Sequence, residues 1–152
     1  MARAATSLVT GSTAAAREGA IAALLAAPFD AASASPASPA SVSSLAADGA
    51  TSPASRLPAP AIPFDAVILE GLGVAATPLE TGPGLHVMRI APGCLCCDGN
   101  LVLRVTLNRL LRQRPRRLFI GLASSEHLDQ LRSWLAAPPY DQLLALEPTV
   151  HA

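Results

Sequence analysis

Residues 99–122 read GNLVLRVTLNRLLRQRPRRLFIGL, a helical period that runs almost directly into a strand. Leu103, Leu107, Leu110 and Leu111 fall on one face of a helix over 99–114, and Arg104, Arg109 and Arg112 fall on the other. Pro115 stops that helix, and the apolar run 118–122 has the length of a buried strand. The same alternation extends in both directions. Upstream, Ala-Val-Ile-Leu at 66–69 is a strand followed by the breakers Gly71 and Gly73. Residues 85–90 form a second strand, interrupted by His86 and Arg89. Downstream, 126–136 is a helix with Leu128, Leu131 and Leu135 inward, and 143–146 starts a last strand. At the N-terminus, 7–10 is a short strand leading to Gly11. A helical pattern over 13–27 follows, with Ile21, Leu24 and Leu25 on one face, and Pro28 ends it. Strands alternating with helices predict an α/β fold, a parallel sheet flanked by helices.

Residues 30–63 break this pattern. Ala, Ser and Pro make up 25 of these 34 residues, with no apolar period. Such a stretch buries too little surface to offset its ordering entropy and reads as a low-complexity insertion or linker. It divides an N-terminal piece, 1–29, from the remainder, 64–152. The length of 152 residues suits one domain.

Formal charge is zero, which supplies no bulk field for nucleic acid or membrane. All eleven basic residues are arginine, so no site in this chain can use a lysine ammonium. Arg109, Arg112, Arg114, Arg116 and Arg117 cluster without aromatic neighbours. They read as a solvated helix face and C-terminal turn, where cations complement the helix dipole. Arg3 and Arg17 before the apolar run 20–27 loosely imitate a secretory signal, but Glu18 abuts the run and alanine fills it. No stretch reaches the roughly 20 apolar residues of a membrane span. The expected location is cytoplasmic.

The chemistry concentrates at Cys94, Cys96 and Cys97, the only cysteines, in Ala-Pro-Gly-Cys-Leu-Cys-Cys-Asp. Three thiols in four positions suit a thiophilic ion such as zinc, with redox sensing or buried filler as alternatives. The odd count and tight spacing argue against a disulfide scaffold and for a reducing compartment. Three thiolates leave zinc one ligand short of four; water, Asp98, His86 or a partner protein are candidates for the place. Asp98 is a candidate N-cap for the following helix. His127 lies in a capping neighbourhood with Ser124, Ser125 and Glu126, and His151 is expected to be mobile.

Gly93–Cys97 completes the Gly-Cys-x-Cys-Cys signature of the CobW-type metallochaperone GTPases, relatives of the nickel-insertion GTPases, and the chain resembles that family. Leu8-Val9-Thr10-Gly11 resembles the strand entering the family's phosphate loop. Val67-Ile68-Leu69-Glu70-Gly71-Leu72-Gly73 resembles its strand ending in Asn-Glu-Phe-Gly, and Phe119-Ile120-Gly121-Leu122-Ala123-Ser124 its strand ending in Glu-Thr-Thr-Gly. Thr149-Val150-His151-Ala152 resembles the next strand, ending Val-Asp-Ala. The resemblance implies a reduced P-loop-type parallel sheet, a zinc or cobalt site at Cys94, Cys96 and Cys97, and a nucleotide site at Gly11, Arg17 and Glu18. Partners would be the metal ion and an intact CobW-type protein or a metalloenzyme client.

The departures from the family pattern are extensive. Against Gly-x-x-x-x-Gly-Lys-Ser/Thr, Gly11 keeps the first place, but Ala16, Arg17 and Glu18 replace the glycine, lysine and hydroxyl residue. Gly71 and Gly121 stand at two acidic positions and His151 at a third, and no Asn-Lys-x-Asp motif follows. Phosphate grip and metal-holding groups for GTP and magnesium are therefore missing. The expectation is a degenerate, truncated member that handles metal with hydrolysis lost. The alternative is a non-enzymatic interaction partner of an intact member, or a decayed protein without activity.

Overall fold

A computed structural model describes residues 3–28, 63–71, 79–91, 101–126 and 128–152. The elements are β1 (Ala4–Thr10), α1 (Ala14–Ala26), β2 (Asp65–Glu70), β3 (Leu85–Ile90), α2 (Leu101–Arg112), β4 (Arg117–Leu122), α3 (Leu128–Leu135), β5 (Leu144–Leu146) and β6 (Val150–His151), with a 3-10 turn at Tyr140–Gln142 before β5. The strands form one parallel sheet in the order β3-β2-β4-β1-β5, and β6 resumes the β5 edge against Val9 and Thr10. The α/β expectation and each expected strand and helix thus have a counterpart, with β6 falling in the 149–152 stretch that the family resemblance implied as a strand.

Alternation along the strands sorts the core into two layers. Val9, Val67, Leu69 and Phe119 face α1, where Ile21 is fully buried and Leu24 and Leu25 pack beside it. Leu8, Ala66, Ile68, Leu118 and Ile120 face α2 and α3, whose Leu103, Leu107, Leu110, Leu131 and Leu135 cover them. The crossover through α1 runs from β1 past β4 to β2. Those through α2 and α3 run in the opposite direction on the opposite face. Reversing both keeps these three crossovers at one hand, as the right-handed rule requires.

Boundaries shift where local chemistry decides. β1 begins at Ala4 rather than at Ser7, because Ala5 pairs on both sides, with β4 and with β5, and Ala4 pairs with β5. Thr13 is the N-cap of α1: its side chain accepts from the Ala16 amide at 3.1 Å, so the helix proper starts at Ala14. α2 ends at Arg112. Gln113 and Arg114 donate to Leu110 and Leu111 in tighter i→i−3 bonds, Arg114 is left-handed at φ 56°, and Pro115 follows. His151, expected to be mobile, lies in β6, with Nδ1 2.8 Å from the Thr10 hydroxyl. Ladder pairing at the open edge of β1 orders it.

The arginine run divides. Arg109 and Arg112 are exposed in the last turn of α2, as expected. Arg117 is not on a solvated face. Its Nη1 donates to the carbonyls of Leu24 at 3.1 Å and Ala27 at 3.3 Å, and its Nη2 to that of Leu25 at 3.2 Å. That Nη2 also meets the buried Asp65 carboxylate at 2.7 Å, and Arg116 approaches the same oxygen at 3.5 Å. α1 has no basic residue in its own last turn, so β4 supplies the cation for its C-terminus. Sequence reading did not single out Asp65.

Among the described residues no helix is long and apolar enough to cross a membrane. Cys94, Cys96, Cys97, Asp98 and His127 lie outside the described residues, as do Gly73 and all of the low-complexity stretch except Pro63.

Arg117→Ala leaves the buried Asp65 carboxylate only the longer 3.5 Å contact with Arg116 and is expected to lower unfolding free energy by about 3 kcal/mol in urea titration, with Arg117→Lys recovering only part because an ammonium lacks the fork. Gly71 sits at φ 103° while its amide donates to the Ile90 carbonyl at 2.9 Å. Gly71→Ala is expected to cost about 1–3 kcal/mol in the same assay.

Candidate functional site

In parallel α/β sheets, ligands bind outside the carboxyl ends of the strands, where connections leave in opposite directions. Here β1 leads to α1 on one face, and its neighbour β4 leads toward α3 on the other. The crevice at these strand ends is bordered by Gly11, by Arg17 and Glu18 of α1, by Glu70, by Arg89 and by Ala123.

Sequence reading placed Gly11, Arg17 and Glu18 at a nucleotide site, and the structure brings them together. Both charged side chains are buried, Arg17 to 5% exposure and Glu18 to 1%. Their contacts are to the protein itself. Arg17 Nη1 donates to the Gly11 carbonyl at 2.6 Å, and Nη2 reaches the Glu70 carbonyl at 3.4 Å. Glu18 Oε1 accepts from Arg89 Nη1 at 2.6 Å. Glu70 Oε2 accepts from the Ala123 amide at 2.8 Å, which ties the end of β2 to the residue after β4. Two guanidiniums and two carboxylates thus span the ends of β1, β2, β3 and β4 with balanced charge.

The connection from β1 is short. Only Gly11, Ser12 and Thr13 separate the strand from α1. A phosphate loop works by turning free backbone amides toward the ligand. Here Ala14 through Glu18 are helical, the Ala16 amide is held by the Thr13 hydroxyl, and the Arg17 amide by the Thr13 carbonyl at 3.2 Å. Space is also taken. A β-carbon at Gly11 would stand 3.1 Å from Arg17 Cγ and 3.2 Å from Ala152 Cβ.

Gly121, at an acidic position of the family pattern, faces inward. A β-carbon there would lie 2.8 Å from Leu69 Cδ2 and 3.4 Å from Ile21 Cδ1. A longer side chain would enter the α1-side core, where a carboxylate is costly to bury.

Arg89 and Glu70 were missed as partners of this cluster. Arg89 was read only as an interruption of a strand. Its signal was alternation: Leu85, Val87 and Arg89 share the face of β3 that looks toward α1. His86, a candidate metal ligand, stands on the opposite face and stacks on Phe64 with ring centroids 4.4 Å apart. It is the second residue of β3, whereas the cysteines follow the strand's other end; four residues at ~3.3 Å each separate it from Ile90. Among the described residues no group of three or more His, Cys, Asp or Glu is placed to hold a metal ion.

Comparison with known proteins gives one informative similarity. Over 68 residues, 44% of this chain, the sequence is 38% identical to a protein of Escherichia coli (strain K12) described as zinc chaperone YeiR. The match covers 21% of that protein, so the chain spans about a fifth of its length. No family model matches the chain, and no solved structure matches it.

Proposed function

We propose that the chain handles metal as a CobW-like, GTPase-related protein that binds zinc, or cobalt, through Cys94, Cys96 and Cys97 and passes it to a client. The observation that carries this reading is the 38% identity to a zinc chaperone in a chain with three cysteines in four positions. Thiolates are soft ligands suited to zinc, and three of them leave a place for exchange rather than a closed structural site. The metal is cargo on this reading, and an incomplete shell is what transfer needs. Water, Asp98, His86 or the client would supply the fourth place.

On the same reading GTP hydrolysis is lost. Helical amides, a guanidinium tied to the Gly11 carbonyl and a carboxylate paired to Arg89 support that half of the proposal. Phosphoryl transfer requires charges positioned on the phosphates and on magnesium, and Arg17 and Glu18 are spent on one another's neighbourhood instead. The second reading, a non-enzymatic partner of an intact family member, draws on Leu101, Val102 and Val105, which are large, apolar and exposed on α2. The 1–29, 30–63 and 64–152 division belongs to both readings, with 30–63 as an insertion between two parts of one sheet.

Anaerobically purified protein is expected to carry about one zinc or cobalt per chain by mass spectrometry. Cys94→Ala, Cys96→Ala and Cys97→Ala together should abolish it while leaving the circular dichroism spectrum intact. Metal-free wild type would sink the reading; retention of an intact relative by the triple variant would favour the partner alternative. In equilibrium dialysis with magnesium, GTP is expected to show no stoichiometric binding, and one nucleotide per chain would overturn the loss of the nucleotide site.

A further inference from the structure

We infer that the exposed face of α2 docks an amphipathic helix of another protein, one whose apolar stripe is flanked by Asp and Glu. The inference deepens the interaction reading of α2, on which it rests, and needs neither the cysteines nor a metal.

Of the four large apolar side chains exposed among the described residues, three stand on this helix: Leu101 at 64% exposure, Val102 at 57% and Val105 at 59%. Leu101 and Val105 lie one turn apart, and Val102 is three positions from Val105, so the three form one patch. Helix formation does not explain them. Valine is a poorer helix former than the Gln, Glu or Arg open to an exposed site, and no burial offsets that here. The core is covered by the opposite face, through Leu103, Leu107 and Leu110.

Charge on the same face is one-sided. Arg104, Arg109 and Arg112 are exposed, and none makes an ion pair with a described residue. No Asp or Glu occurs from Gly99 to Ser125, a stretch that holds six arginines. Arg109 and Arg112 complement the helix dipole in the last turn, but Arg104 lies in the first turn, where a cation opposes it. An acidic partner supplies the counter-charge that α2 lacks.

The charge pattern selects the occupant. A second copy packed in parallel would set arginine on arginine, and one packed antiparallel would set Arg109 and Arg112 on the apolar patch. Either leaves cations unpaired inside an interface. The acids outside the described residues, Asp30, Asp48 and Asp98, are single and widely spaced, so no other part of this chain brings a matching row. A helix is the matching shape, since the Leu101–Val105 row is a ridge that fits the groove of another helix. Such a partner covers the patch and sets carboxylates against guanidiniums, which can hold them bidentately.

The full chain is titrated into a labelled synthetic peptide as long as α2, with Leu at i, i+3, i+4 and i+7 and Glu on both flanks, and into a twin with Lys for Glu, followed by fluorescence anisotropy. The Glu peptide is expected to bind, less tightly as salt rises, and the Lys twin to bind at least about tenfold more weakly. Val102→Gln combined with Val105→Gln should weaken the Glu peptide by about tenfold. Arg104→Glu should weaken it too while leaving Tm at or above wild type, because an acid suits the first turn. A residue serving only the fold would not separate those two readouts. Absence of binding, equal binding of both peptides, or variants that bind as wild type does overturns the inference. So does a concentration-dependent dimer that the valine variant abolishes, which assigns the face to a second copy. Tighter binding to phosphatidylserine vesicles than to the Glu peptide also overturns it, in favour of anionic headgroups. An intact relative retained equally by wild type and the valine variant upholds the family-member reading and overturns this surface. A Glu peptide that binds while no intact relative does upholds the surface and defeats that reading.

Discussion

The guanidinium of Arg117 joins three carbonyls at the end of α1 to a carboxylate at the start of β2, from the first residue of β4. α1 needs such a bond because its sequence is mostly alanine, with Ile21, Leu24 and Leu25 as its only large apolar side chains. At about 25 cal/mol per Å² of apolar surface, alanine contributes little. Directed polar contacts hold both ends of the helix instead: Arg117 at the carboxyl end, and Arg17 with Glu18 near the amino end. In the α1 layer these directed contacts stand beside the burial of Ile21, with Leu24 and Leu25 packed next to it.

The crevice at the strand ends obeys the same economy. Positions that would face a polyphosphate in a working phosphate loop face the protein. Arg17 turns back on the loop carbonyl, Glu18 turns to β3, and Glu70 closes on the amide after β4. A buried glutamate at position 18 is tolerable because Arg89 lies on the facing row of β3. The cluster is internally neutralised.

Much of the fold was legible. Strands of Val, Ile and Leu without alternation announced a sheet covered on both faces, and the Leu103–Leu107–Leu110 stripe announced α2. Two kinds of detail were not legible. The extension of β1 over Ala4 and Ala5 exists through pairing with distant strands, which local composition does not encode, and the short β6 was legible only through the family resemblance. The buried charges escaped for a related reason. Asp65 and Arg117 are 52 positions apart and Glu18 and Arg89 are 71 apart, so neither pair shares a window of periodicity. Motif comparison flagged Arg17 and Glu18 as misfits in a phosphate loop. Only the sheet order reveals that Glu18 is matched to Arg89 across the α1 layer.

The placement of β1 has a consequence for synthesis. It is made before its partners, since its neighbours are β4 on one side and β5 and β6 on the other, the nearest of them more than 100 residues later. Until residue 117 emerges, Leu8 and Val9 have no strand to pair with and no sheet to be buried in. Closing loops of this length costs entropy before any contact rewards it, which makes such topologies slow to form. Between its own synthesis and that of β4, β1 is an unpartnered apolar strand, the kind of segment that holding chaperones intercept.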